Sequence, residues 1–279
     1  MTAEVRSPVL KSDRQHLILT TIGKKGSVSV DEIANMLDVS AVTVRRDLDF
    51  LGEEGLVKRT RGGAQSNSVS IDMPLQWKRS RNYEEKRALA RHCAESIPSG
   101  AAIGMSGGTT MACIAQEIFL RDSKRRSAEE RASHFYITVV TNAIDIALLL
   151  SKSPSVKVIV IGGVLNNNSL EISGPLASDL LDKISLDMSF VGIDGFDNCG
   201  PGTADENEGH SNKRMLSRSL KKMIVADSSK FGRHSFFQPN MSPSEVTLIT
   251  DDSISQTWSA RAKELGYTLK TVPVDSSGT

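Results

Sequence analysis

The sequence predicts an α/β protein in two parts: a small helical module closed by a β-hairpin, then a larger, mostly parallel sheet covered by helices on both faces. Three observations predict it. Residues 13–64 carry three short runs of apolar side chains at helical spacing ahead of a Gly-Gly turn. From Tyr83 onward, short β-branched runs alternate with amphipathic stretches, the pattern of parallel strands joined by helical crossovers. Between the two lies the polar stretch QSNSVS, then Pro74 and a basic patch at Lys78, Arg79 and Arg81, which read as a linker. The expected boundaries are a tail at 1–12, a first domain at 13–65, a linker at 66–82, a second domain at 83–273 and a tail at 274–279.

In the first domain, Leu17, Ile18 and Ile22 recur with helical spacing, and Gly23 and Gly26 stop the run. Ser29 and Glu32 have the capping-box pattern and open a second helix carrying Ile33, Ala34 and Leu37. Asp38-Val39 makes a tight turn. Ser40 is a good N-cap for a third helix that buries Val44, Leu48 and Leu51 and ends near Gly55. LVKRT and the Gly62-Gly63 turn follow as a small β-hairpin. Three helices and a wing with these spacings are a winged helix-turn-helix.

In the second domain a helix runs through Ile97, followed by strand AAIGM, a glycine loop and helix TMACIAQEIF. Strand YITVV, helix AIDIALLL and strand VKVIVI come next, closing on Gly162-Gly163. Strand MSFVGI, helix SNKRMLSRSL, strands KMIVA and VTLIT, helix SQTWSARAKEL and strand YTLKTV complete a Rossmann-like, largely parallel α/β domain. The segment RDSKRRSAEERASH at 121–134 interrupts the rhythm and reads as a solvated loop or helix extension.

A chain of 279 residues is long enough for one small and one medium domain. The formal net charge is only +1, so any contact with nucleic acid must come from clustered cations. Cys93, Cys113 and Cys199 have no CxxC spacing and read as reduced, buried thiols. The five histidines are scattered without ligand spacing, and neither a metal nor another cofactor is expected. The N-terminus has no apolar signal core, and the longest apolar runs fall far short of the roughly 20 residues of a membrane span. A soluble, cytoplasmic protein with no membrane partner is expected.

Reading a major groove needs donors on one helical face near a helix N-terminus. Ser40, Thr43 and Arg46 are spaced at three while Val44 and Leu48 turn inward, so Thr43 and Arg46 can reach bases or phosphates. Arg45 flanks them. In the wing, Lys58, Arg59 and Arg61 surround a tip where Gly62 and Gly63 let the backbone approach a phosphate. The competing reading pairs these arginines with Asp47, Asp49, Glu53 and Glu54. The agreement of helix, turn, wing and charge placement favours DNA. The segment from Arg14 to Ala64 closely resembles the N-terminal domain of the DeoR family of bacterial transcriptional regulators, most distinctively in TVRRDL followed by GLV, an arginine and GGA. Arg61 stands where that family usually carries histidine, which raises the charge of the wing.

If the sheet is parallel, its C-terminal strand ends share one edge, where ligands bind in such folds. Ser106, Gly107, Gly108, Thr109 and Thr110 follow the first strand and open a helix, offering amides, hydroxyls and a helix dipole to an anion. Thr141-Asn142, Gly162-Gly163, Asp194-Gly195 and Asp227-Ser228-Ser229-Lys230 stand at the later ends. A carboxylate, hydroxyls and a lysine around an amide nest suit a small polyol phosphate. SGGTT, VVTN, VIVIGG, the G-I-D-G-F stretch, Glu208 with Lys213 and Arg214, and ADSSKFGR are similar to the effector domain of the same family, whose fold is shared with ribose-5-phosphate isomerase-like proteins. The resemblance implies a phosphorylated sugar or related metabolite as ligand, and Gly107, Gly108, Thr109, Thr110, Asp194, Glu208, Lys213, Asp227 and Lys230 as its site.

The sequence thus leads to a DNA-binding transcriptional repressor, acting as a homo-oligomer on paired half-sites and controlled by a phosphorylated sugar. The alternative is a sugar-phosphate isomerase with an accessory DNA module, using Asp194 or Glu208 as general base. Fold similarity does not carry activity, and no catalytic residue is assigned.

Overall fold

The structure is a computed structural model and describes residues 11–53, 57–65, 82–124 and 136–274. The expected end of the third helix near Gly55, most of the two tails, nearly all of the linker with its basic patch, and the 121–134 segment beyond Lys124 lie outside the described residues. The chain divides into two compact units, Met1–Met73 and Pro74–Thr279.

The first unit runs α1 (Lys11–Lys25), β1 (Ser27–Ser29), α2 (Val30–Leu37), α3 (Ala41–Glu53), β2 (Lys58–Thr60) and β3 (Gly63–Gln65). Helix α1 begins inside the expected tail. The wing is a three-stranded antiparallel sheet in the order β1-β3-β2 rather than a bare hairpin. Strand β1 escapes sequence reading because so short a segment shows no period. Ser29 caps α2, accepting from the Glu32 amide at 3.1 Å, but the Glu32 carboxylate turns to Lys25 instead of closing the capping box. Ile18, Ile22, Val28, Ile33, Val44, Leu48 and Leu51 form the core. At its edge Asp47, only 2% exposed, accepts from Arg14 Nε at 2.5 Å, Arg14 Nη2 at 3.2 Å and Gln15 Nε2 at 3.1 Å, tying α3 to α1.

The second unit contains α4 (Tyr83–Glu95), β4 (Ala102–Met105), α5 (Thr109–Lys124), β5 (Ile137–Thr141), α6 (Ile144–Leu150), β6 (Val156–Val160), β7 (Val164–Leu165) and β8 (Ile172–Ser173). It continues with α7 (Pro175–Leu181), β9 (Leu186–Val191), β10 (Gly195–Asp197), β11 (Gly200–Gly202), α8 (Glu206–Ser217), β12 (Ser219–Val225), β13 (Val246–Asp251), α9 (Gln256–Glu264) and β14 (Thr268–Val272). Seven strands form one sheet in the order β14-β13-β12-β9-β4-β5-β6, and every neighbouring pair is parallel. Helices cover both faces, as the buried β-branched strands require. Leu89, Cys93, Ile114, Ile118, Ile146 and Leu150 from α4, α5 and α6 pack on one face. Ala177, Leu181, Met215, Leu216 and Ala262 from α7, α8 and α9 pack on the other.

Three departures from the sequence reading stand out. The ribbons β7–β8 and β10–β11 and helix α7 were not expected; their segments are too short to show a period. Helix α8 starts earlier than SNKRMLSRSL, because Asp205 caps it through the Asn207 amide at 2.8 Å and the Glu208 amide at 3.0 Å, and Ser219-Leu220 already belong to β12. Of the cysteines only Cys93 is buried, its thiol pushed up to about 12 by burial, while Cys113 is half-buried and Cys199 exposed. Among the described residues no helix is long and apolar enough to cross a membrane.

From β4 the sheet grows one way through β5 and β6 and the other way through β9, β12, β13 and β14. The strand order therefore reverses between β4 and β9. A crevice forms at such a point, beyond the carboxyl ends of the two strands.

Candidate functional site

On α3, Ser40 Oγ accepts from the Thr43 amide at 3.1 Å and lies 2.9 Å from Thr43 Oγ1, so both hydroxyls are fixed at the helix start. Arg45 and Arg46 are exposed, and among the described residues neither has an ion-pair partner. Two of the acids that the competing reading assigned to them are engaged elsewhere: Asp47 with Arg14 and Asp49 with Arg59. Lys58, Arg61 and Gly62 are exposed on the wing.

Two expected wing residues are built differently. Arg59 donates from Nε to Asp49 at 2.9 Å and from Nη1 to the Gly63 carbonyl at 2.5 Å, which makes it a brace between wing and α3 rather than a cation left for phosphate. Gly63 is buried. A Cβ there would lie 2.1 Å from the Val28 carbonyl oxygen, so its missing side chain serves the approach of β3 to β1. Gly62 at the tip has open space around it.

In the second unit a pocket of about 50 Å³ opens at the switch point. That volume has room for a handful of water-sized groups. Its floor is Gly107, Gly108, Thr109 and Thr110, where α5 begins. Gly108 has φ +93°, which glycine adopts without strain. Gly192, Ile193 and Asp194 come from the end of β9, Thr203 from the turn after β11, Glu208 and Asn212 from α8, Ser169 and Glu171 from the loop between β7 and β8, and Lys230 from beyond β12.

Hydrogen bonds fix this ring. Ser106 Oγ accepts from the Gly192 amide at 3.0 Å, and Asn212 Nδ2 donates to the Gly192 carbonyl at 3.1 Å. Glu208 is 5% exposed and accepts from Ser169 Oγ at 2.5 Å and Asn166 Nδ2 at 3.0 Å. Asp194 accepts from the Ala204 amide at 3.0 Å. Among the described residues no cluster of His, Cys, Asp or Glu is placed to hold a metal ion.

These two regions match known families. The DeoR-like helix-turn-helix domain matches residues 14–70, and the DeoR C terminal sensor domain matches residues 81–252. The chain belongs to the DeoR family. The lactose phosphotransferase system repressor of Staphylococcus epidermidis (strain ATCC 35984) is 32% identical over 81% of this chain and 86% of its own. The glycerol-3-phosphate regulon repressor of Escherichia coli (strain K12) is 30% identical over 80% of this chain and 84% of its own. The transcriptional repressor CsqR of the same strain is 29% identical over 86% of this chain and 87% of its own. Among solved structures, ribose 5-phosphate isomerase A from Methanocaldococcus jannaschii aligns with 52% of this chain and 53% of its own at 16% identity, with a TM-score of 0.37. At that level the alignment supports no inference.

In this DeoR-family sensor domain, Gly107, Gly108, Thr109, Thr110, Asp194, Glu208 and Lys230 meet in one pocket. Lys213 and Asp227 do not line it. Lys213 is exposed, because the residues of α8 that face the pocket are Glu208 and Asn212, one turn apart, and Lys213 lies on the next azimuth. Asp227 is 1% exposed and caps the turn that carries Lys230, accepting from Ser229 Oγ at 2.5 Å and Asn82 Nδ2 at 2.6 Å. Burial pushes its carboxyl up, but Ser229, the charges of Lys230 and Lys86, and Asn82 together hold it below the ordinary value. The sequence reading missed Ser169, Glu171, Gly192 and Asn212. Only the spacing of Asn212 from Glu208, i and i+4 on one helix, could have signalled any of them.

Proposed function

We propose that this DeoR-family regulator represses transcription until a phosphorylated sugar or polyol enters the switch-point pocket and changes its affinity for DNA. The observation that carries this reading is the convergence, from separate strand ends, of the amide turn at 107–110, Lys230 and the carboxylates of Asp194 and Glu208. The first two favour an anion and the carboxylates favour hydroxyl donors. The names of its relatives, which include a glycerol-3-phosphate regulon repressor, support the same ligand class. Thr43 and Arg46, with Ser40 at the helix start, read the major groove; Arg45, Lys58, Arg61 and the Gly62-Gly63 tip hold the backbone, with Arg59 bracing the wing. The regulator works in the cytoplasm as a homo-oligomer on paired half-sites. It has no catalytic turnover: Asp194 and Glu208 act as hydrogen-bond acceptors for ligand.

The test is a mobility shift on DNA selected from a random pool, titrated with pentose, hexose and alditol phosphates. At least one compound changes DNA affinity and raises the melting temperature, since a ligand of the native state stabilises by RT ln(1 + [L]/Kd). Lys230→Ala retains DNA binding and loses the response. A protein indifferent to the whole panel would sink the reading.

A further inference from the structure

We propose that Glu171 is a specificity-determining residue of this pocket: its carboxylate disfavours a bare anion at the glycine turn and accepts a ligand hydroxyl, so the site selects phosphorylated polyols over compact anions. The proposal rests on the sensor reading above and deepens it. Glu171 is 6% exposed and lies directly against the turn. A Cβ built on Gly107 would sit 2.3 Å from Glu171 Cγ, 2.6 Å from Cδ and 2.7 Å from Oε1, so only glycine leaves room for this carboxylate. Its other oxygen, Oε2, accepts from Asn142 Nδ2 at 3.1 Å. The residue is also held through its backbone, donating to Ser169 Oγ at 3.3 Å and accepting from the Asn166 amide at 2.8 Å. Leu170 between them has φ +59°, a left-handed conformation costly for leucine, and Ser169 and Glu171 on either side of it both line the pocket.

The charge around the turn follows. Glu171, Asp194 and Glu208 oppose one lysine, Lys230, among the charged residues that line the pocket. A phosphate dianion alone meets repulsion there, however well the amides and the α5 dipole suit it. A second, independent observation points the same way. Asn212 is 4% exposed and lines the pocket; its Nδ2 donates to the Gly192 carbonyl, while its buried Oδ1 has no hydrogen-bond partner. A buried acceptor is expensive to leave unpaired, and a phosphate dianion has no proton to give it. A hydroxyl does. The ligand that satisfies both ends carries one phosphate toward the amide turn and Lys230, and hydroxyls toward Glu171, Glu208 and Asn212. Such a pocket combines attraction for the right ligand with repulsion of the wrong one.

Glu171→Gln keeps the shape and one acceptor oxygen but removes the charge. By calorimetry and thermal shift on the full chain, its affinity for inorganic phosphate rises severalfold, while its affinity for the sugar phosphate that the wild type binds best falls about tenfold. Opposite signs on the two probes support the proposal. An unchanged phosphate affinity overturns it, and so does a variant that binds both probes more tightly, which would make Glu171 a repulsive charge alone. If no sugar phosphate binds the wild type, the sensor reading falls, and the phosphate arm still decides whether the Glu171 charge guards the turn. Gly107→Ala, which must push the carboxylate aside, gives the same loss of discrimination if Glu171→Gln fails to fold.

Discussion

On α3 Arg45 and Arg46 are exposed with no ion-pair partner among the described residues, whereas Glu171 and Glu208 in the switch-point pocket are buried and hydrogen-bonded. Exposed cations act through counterion release: they attract any duplex, their effect weakens with salt, and each adds a similar increment. Buried groups are shielded from salt and held at fixed angles, so they accept one arrangement of donors and reject others. One half of the molecule is therefore tuned by counting charges and the other by placing them. The same difference separates residues whose loss harms binding from residues whose loss harms the fold.

The largest effect falls on the buried side. Asp227 receives bonds from Asn82 and Ser229 and balances Lys86, itself only 3% exposed. Asp227→Ala leaves Lys86 buried without that carboxylate, a change of the kind that costs about 3–5 kcal/mol. Its folded pKa lies below the ordinary 3.8, so its contribution is complete above that value and is lost as pH falls through the lower, folded one. Urea unfolding of the sensor domain in the full chain measures both. The variant loses stability at neutral pH and shows a shallower decline in acid; a loss under about 1 kcal/mol would remove Asp227 from this role.

On the exposed side the effects are on binding. Arg46→Ala weakens binding to the selected DNA by about 1–3 kcal/mol if the guanidinium grips a base edge in the groove, and leaves the unfolding midpoint unchanged. Arg45→Ala, assigned to the backbone, weakens all sequences alike. If Arg46→Ala also lowered every sequence equally, the two arginines would share one role.

The same contrast explains what the sequence made legible. Thr43 and Arg46 lie three residues apart on one helix that Ser40 precedes, so their common face, with Arg45 flanking it, follows from the 3.6-residue period alone. The turn at 107–110, Asp194 and Lys230 were legible because strand ends in a parallel sheet share an edge. Ser169 and Glu171 were not, since they reach the pocket through a ribbon of very short strands and a left-handed leucine, neither of which leaves a periodic trace. Lys213 is exposed, one residue of helical phase away from Asn212, which lines the pocket. Asp227 was placed at the correct strand end, but its side chain points into a capping network rather than the pocket.

Arg59 and Arg61 set the finest version of the comparison, because two arginines in one wing fall on opposite sides of it. Arg61 is exposed and has no ion-pair partner among the described residues, while Arg59 is tied to Asp49 and the Gly63 carbonyl. Arg61→Ala removes one cation from the phosphate face, so it lowers the salt dependence of DNA binding by about one counterion and leaves stability unchanged. Arg59→Ala breaks a hydrogen bond to a buried strand and a partly exposed ion pair, a loss of about 1 kcal/mol in folding. Its charge is already balanced by Asp49, so the salt slope changes less than in Arg61→Ala. Measuring both variants by urea unfolding and by binding at several salt concentrations separates the roles. Equal salt slopes with equal stabilities would mean that both arginines face phosphate and that the brace to Asp49 opens when DNA binds.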